Sequence, residues 1–102
     1  NLDLNGEDRI DLASIPTSVQ SNVTVGNLST ATFDADLAAA IGAGQLSANG
    51  AVLFDPNGGD LNVAGHLFLV IDANGVAGYQ AGADYVVEVV NMNGALDLTE
   101  FF

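Results

Sequence analysis

Residues 67–75 read Leu67-Phe68-Leu69-Val70-Ile71-Asp72-Ala73-Asn74-Gly75, an uninterrupted apolar run that leads directly into turn-forming residues. Because the apolar run is short and continuous, it predicts a central β-strand that is covered on both faces. Asp and Asn tolerate the left-handed backbone of tight turns and Gly adopts it freely, so the chain is expected to reverse after Ile71. This segment therefore indicates a β-sheet with an inner strand at 67–71.

Three more short runs of apolar or β-branched residues lie before and after this segment: Ala51–Phe54, Tyr85–Val90 and Leu96–Phe102. Turn-forming residues separate all four runs, and four strands joined by tight turns predict an antiparallel sheet. The segment Asn22–Leu28 contains β-branched residues and is typical of a further short strand. Short extended pieces are expected in residues 1–16, ending at Pro16.

A helical pattern lies between Thr32 and Gly42. Apolar residues recur there at the spacing of one helix face, namely Phe33, Leu37, Ala40 and Ile41. Thr32 or Asp34 is expected to accept the free amide hydrogens of the first turn, and Asp34 and Asp36 lie where the helix dipole favours negative charge. The predicted fold class is α+β, mainly an antiparallel β-sheet or sandwich, with one short helix at about 33–42 that packs on the sheet.

The composition limits the classes of function. The chain has 102 residues, which predicts a single domain over 1–102, and 49% of its residues are hydrophobic, enough for a core. The chain has thirteen Asp and Glu residues but a single Lys or Arg, so its formal charge is −12. Such a chain cannot neutralise phosphates, so nucleic acid is excluded as a partner. The longest apolar run is far shorter than the ~20 residues that span a bilayer, so membrane insertion is not expected.

The surplus carboxylates point to calcium, a hard cation that takes six to eight oxygen ligands. The pattern Asp72-x-Asn74-x-Val76-x-Gly78 resembles the opening of a calcium-binding loop, and Asp84 supplies a carboxylate near its end. In the alternative interpretation the loop is an ion-free hairpin turn, in which Asp72 and Asn74 cap backbone amides. Cysteine is absent, so disulfides cannot supply rigidity, whereas bound calcium could.

A second candidate calcium site is the loop Asp55–Asp60. Asp55, Asn57 and Asp60 offer three side-chain oxygens within six residues, and two glycines allow the chain to bend around an ion. The same composition suits a loop that binds nothing. The predicted metal ligands are therefore Asp72, Asn74 and Asp84, followed by Asp55, Asn57 and Asp60.

The segment from Ile71 to Val86 resembles the bluetail-type C-terminal domain of surface proteins related to the RTX group. The similarity extends over about 30–100 and includes Phe33–Ala38, Ala51–Phe54 and Gly65–Val70. This resemblance implies type I secretion and a location outside the cell or on the surface of a Gram-negative bacterium or cyanobacterium.

Both ends of the chain fit that resemblance. Gly6–Ile10 resembles the second half of an RTX nonapeptide, so residues 1–16 are interpreted as the end of a preceding calcium-binding β-roll or as an assembly arm. Residues 97–102 resemble the acidic and then apolar terminus of type I secretion substrates. A closing strand of the sheet is the other interpretation of that terminus.

No motif for nucleophilic, metalloprotease or phosphate chemistry is present in the sequence, which predicts a non-catalytic protein. The leading hypothesis is an acidic, calcium-stabilised extracellular module that associates with copies of itself or with other surface or matrix components, in a layer, matrix or filament. The alternative is a C-terminal export and folding module of a larger secreted adhesin or hydrolase. Deletion of such a module would block export and leave upstream activity intact.

Overall fold

The computed structural model describes residues 15–92, 94 and 96. The predictions for residues 1–14 and 97–102, which include the β-roll end and the secretion terminus, lie outside these described residues. Most of the predicted strand Leu96–Phe102 lies outside them as well.

The described chain folds into a four-stranded mixed sheet with one short helix, so the predicted α+β class is confirmed. The elements follow in the order β1 (Ser18–Val19), α1 (Phe33–Ala40), β2 (Gly50–Phe54), β3 (His66–Ile71) and β4 (Tyr85–Val90). A 3₁₀ turn at Thr30–Thr32 leads into α1. The three strands predicted at 51–54, 67–71 and 85–90 are confirmed within one residue. Among the described residues, no helix is both long and apolar enough to cross a bilayer.

The strands lie side by side in chain order, β1-β2-β3-β4. β2 pairs with β3, and β3 pairs with β4, in antiparallel register, with Val70 opposite both Val52 and Val86. β1 instead pairs with β2 in parallel, with Ser18 opposite Gly50. This parallel pair requires a crossover, and the segment that contains α1 provides it.

The predicted strand at Asn22–Leu28 is wrong, because only isolated parallel bridges occur there, at Val23 and Asn27. Gly26 interrupts the segment with a φ of 143°, and a Cβ atom at this position would lie 2.8 Å from the Cβ of Ala40. The chain lies too close to α1 here for any residue with a side chain. Close contact with the helix therefore replaces regular strand geometry.

α1 packs its predicted apolar stripe against one face of the sheet. Leu37 and Ile41 are fully buried, and Phe33 and Ala40 are partly buried beside them. The predicted cap is wrong in detail: Thr32 makes no capping bond, and the Oδ2 of Asp36 instead accepts bonds from Ser29 N and Thr32 Oγ1, at 3.0 and 2.7 Å. Placing this carboxylate at the start of the helix still agrees with the helix dipole.

The sheet is buried on both faces, as the continuous apolar run of β3 predicted. On the helix side the buried residues are Leu28, Leu37, Ile41, Leu46, Val52, Phe54, Phe68, Val70 and Tyr79. On the opposite side they are Ala51, Leu53, Leu69, Ile71 and Val89. Because side chains alternate along a strand, every residue of β2 and the last four of β3 become buried.

Candidate functional site

The loop from Asp72 to Asp84 connects β3 to β4 and contains the first group of predicted calcium ligands. Asp72 is 4% exposed and follows the last residue of β3. Its Oδ2 accepts a 2.5 Å bond from the backbone N–H of Asn49, 23 residues earlier in the chain. Its Oδ1 accepts a 3.3 Å bond from Asn74 N–H. Asp72 thus joins its own turn to the turn that precedes β2.

Asp84 closes the same loop from its other end. Its Oδ1 accepts a bond from Ala73 N–H at 3.0 Å, and its Oδ2 accepts one from Gln80 N–H at 2.8 Å. With the bonds to Asp72, each of the four carboxylate oxygens accepts a backbone amide hydrogen. An oxygen of this kind has a further lone pair, so these bonds leave capacity for a cation.

The structure brings the carboxyl groups of Asp72 and Asp84 next to each other. Burial raises the pKa of the Asp84 carboxyl group, the bonds from Ala73 and Gln80 partly oppose that increase, and the neighbouring Asp72 carboxyl raises the pKa further. Two adjacent, partly desolvated carboxylates repel each other when both are ionised. A cation placed between or beside them would relieve that repulsion.

Asn74 is exposed and takes part in a second turn, in which its Oδ1 accepts a 3.1 Å bond from Val76 N–H. The Asp72 and Asn74 side chains thus cap the backbone amides of Asn74 and Val76, and these are the contacts expected of the ion-free hairpin turn. Within residues 15–92, 94 and 96, no group of three or more His, Cys, Asp or Glu side chains is placed to hold a metal ion. Calcium binding by Asp72, Asn74 and Asp84 stays a prediction.

The second predicted site, Asp55–Asp60, follows β2, whereas the first follows β3. Because β2 and β3 are antiparallel, the two loops lie at opposite ends of the sheet. Asn57 Oδ1 accepts a bond from Gly26 N–H at 3.0 Å, and Asp60 Oδ1 accepts one from Thr30 N–H at 2.8 Å. Asp55 is exposed. These three side chains do not converge, since two of them instead fasten the loop to separate points of the segment before α1.

Sequence reasoning missed the polar contact that attaches the 72–84 loop to the helix. Tyr79 is 8% exposed, and its hydroxyl donates a 2.6 Å bond to Oδ1 of Asp34 in the first turn of α1. Burial raises the pKa of Tyr79 to about 12, and the bond to Asp34 and the negative charges of Asp34 and Asp84 add to this effect. Forty-five residues separate the partners, so no local pattern could have paired them.

The backbone of the loop is also fixed to the segment after α1. Gly78 N–H donates to Leu46 O, and Tyr79 N–H donates to Ile41 O, both at 2.8 Å. Gly78 has a φ of 83°, and a Cβ atom there would lie 3.1 Å from Ala43 N. The Asp72–Asp84 pair therefore lies on a loop that is held at both its ends and its middle.

Comparisons with protein-family models, with curated proteins and with solved structures found no match for this chain.

Proposed function

We propose that this protein is a non-catalytic extracellular structural module, acidic and stabilised by calcium, that self-associates in a surface layer, matrix or filament. The observation that carries the proposal is the adjacent pair of carboxyl groups of Asp72 and Asp84 in a partly buried loop. The resemblance of residues 71–86 to the bluetail-type domain supports the extracellular location.

The calcium part of the proposal rests on charge. The sequence has 13 carboxylates and a single Lys or Arg, so the chain contains too few cations to neutralise them. Where two carboxylates also lose water, as at Asp72 and Asp84, an external divalent cation relieves the repulsion between them. We expect Asp72 and Asp84 to be the principal ligands and Asn74 to contribute from the adjoining turn. The loop of Asp55, Asn57 and Asp60 is the weaker candidate because its side chains diverge.

The self-association part rests on β4, the last strand of the described sheet. Tyr85 and Val87 are each 44% exposed, and Val90 is 38% exposed. Exposed apolar residues on a strand favour contact with another surface. Calcium would support this contact by reducing the repulsion between molecules that each carry a formal charge of −12.

The calcium part is tested by thermal unfolding in millimolar calcium, in magnesium and in EDTA. We expect calcium to raise the melting temperature, and Asp84→Asn to remove most of that increase. Glu88→Gln is the matched control, because it removes one charge from an exposed side chain outside both candidate calcium loops and should keep the effect of calcium. An unchanged melting temperature in calcium would refute calcium stabilisation.

The self-association part is tested by sedimentation over a range of protein concentrations, with and without calcium. Val87→Lys places a charge at an exposed position of β4 and is expected to prevent assembly while the calcium-dependent melting temperature is kept. A wild-type protein that stays monomeric in calcium would refute self-association and favour the export and folding module. Secretion of a reporter fused to this chain would then test that alternative.

A further inference from the structure

A groove of about 350 Å³ lies between the helix and β4, at the edge of the helix-side core. Its lining residues are Thr30, Phe33, Leu61, Phe68, Val86 and Glu88. The rings of Phe33 and Phe68 meet edge to face, with centroids 6.3 Å apart. Phe33, Leu61 and Val86 are only partly buried, so the groove leaves apolar surface uncovered. Its volume is within the range of small-molecule sites, ~300–1,000 Å³.

Among the described residues that line the groove, Glu88 is the one that carries a charge. It lies on β4 directly opposite Phe68 of β3, and therefore on the same face of the sheet. His66 Nδ1 and Glu88 Oε2 are 2.8 Å apart, which fixes the carboxylate at the end of the groove. Within the described part of the chain, no group donates to the other oxygen, Oε1. The groove thus combines aromatic and aliphatic walls with an available carboxylate oxygen.

We propose that this groove binds a small organic ammonium ion, a primary amine attached to an aromatic or branched aliphatic body. The apolar body would cover Phe33, Leu61 and Val86, and the ammonium group would donate to Glu88. An ammonium ion is also attracted by the faces of neighbouring aromatic rings.

The negative charge of the protein disfavours other classes of ligand in this groove. Anionic ligands are opposed both by Glu88 and by the formal charge of −12. A second copy of the chain contains a single Lys or Arg, so it offers few cationic groups to Glu88 even where calcium reduces the repulsion between copies. A cationic small molecule is the ligand class that matches both the apolar walls and the carboxylate.

Phenethylamine is the probe, and 2-phenylethanol is its uncharged match of nearly the same shape. Both are titrated into the full chain at neutral pH and low salt, and binding is followed by calorimetry and by NMR shifts. We expect the amine to bind about two- to five-fold more tightly than the alcohol, an advantage in the upper part of the range for a partly exposed ion pair. The shifts should be confined to the residues of the groove.

Three variants distinguish binding in the groove from attraction by the overall negative charge of the protein. Glu88→Gln keeps the shape of the side chain and should remove the preference for the amine. Asp55→Asn removes an equal charge outside the groove lining and should keep that preference. Val86→Phe fills part of the groove and should weaken both ligands, while circular dichroism confirms that each variant is folded.

Equal affinity of the wild-type protein for amine and alcohol would overturn the proposal, as would absence of binding by both. An equal loss of preference in Glu88→Gln and Asp55→Asn would also overturn it, because the attraction would then belong to the whole molecule. Unchanged binding in Val86→Phe would show that the ligand lies elsewhere and would overturn the assignment to the groove.

Discussion

Replacing Tyr79 by Phe removes one hydroxyl group and leaves the buried ring in place. In the wild-type protein that hydroxyl donates to Asp34 and connects the 72–84 loop to α1. Asp34 is exposed, so water can solvate its carboxylate after the substitution. A hydrogen bond to a charged group contributes about 1.5–3 kcal/mol, and hydration of the freed acceptor reduces the loss. We expect Tyr79→Phe to lower the free energy of unfolding by about 1–2 kcal/mol at neutral pH.

The same contact predicts a specific pH dependence. Burial raises the pKa of Tyr79 from 10.0 to about 12 in the folded protein. The neutral phenol is therefore favoured by folding, and its contribution is fully present below pH 10 and is lost as the pH rises through about 12. The difference between the two pKa values corresponds to about 3 kcal/mol, lost at about 1.4 kcal/mol per pH unit within that interval.

Urea unfolding, followed by circular dichroism at a series of pH values above 8, measures this loss. Tyr79→Phe should lack it, and Tyr85→Phe is the matched control that should keep it. In Tyr85→Phe the tyrosinate absorbance reports Tyr79 alone, because the chain has two tyrosines, and its midpoint should lie near 12 while the protein is folded. A midpoint near 10 in the folded protein, or an equal alkaline loss in Tyr79→Phe, would refute the role given to this bond.

Three further predictions concern the loop, the core and the carboxylate pair. Gly78→Ala should destabilise the protein by about 2–3 kcal/mol in urea titrations, because Gly78 has a φ of 83° and a Cβ there would lie close to Ala43 N. Gly82 has a φ of 78° and open space around it, so Gly82→Ala should cost about 1 kcal/mol. Equal losses in the two variants would exclude a role for the close approach to Ala43. By the same assay, Leu37→Ala should lower the free energy of unfolding by about 2–5 kcal/mol, because Leu37 is fully buried. Val63→Ala, at an exposed position, should lower it by less than about 0.5 kcal/mol. A small loss of stability in Leu37→Ala would mean that α1 does not pack as described. Burial and the neighbouring Asp72 raise the pKa of Asp84 above 3.8, so folding favours the protonated carboxyl and this contribution is lost as the pH rises through the folded pKa. Calcium binds the ionised carboxylate, so it should raise the melting temperature more at pH 7 than at pH 4. A larger effect of calcium at pH 4 would contradict this linkage.

The elements that could be predicted from the sequence are those with a local physical cause. The apolar run of β3, the strands at 50–54 and 85–90, and the apolar stripe of α1 follow from side-chain periodicity and from turn residues next to each other in the chain. The bonds of the turn that starts at Asp72 and Asn74 are local as well, since each spans two residues. Such features depend on backbone preferences that act over a few residues, so neighbours in the chain are sufficient to indicate them.

The remaining features are contacts between distant residues, and the folded chain alone defines them. The parallel pairing of β1 with β2 depends on where the crossover through α1 returns the chain, and the close approach of Gly26 to α1 leaves only isolated bridges at Asn22–Leu28. The bond from Asn49 to Asp72 and that from Tyr79 to Asp34 span 23 and 45 residues. Backbone preferences do not select such partners, because the pairing of β2 with β3 brings Asn49 to Asp72, and the packing of α1 beside the loop brings Asp34 to Tyr79.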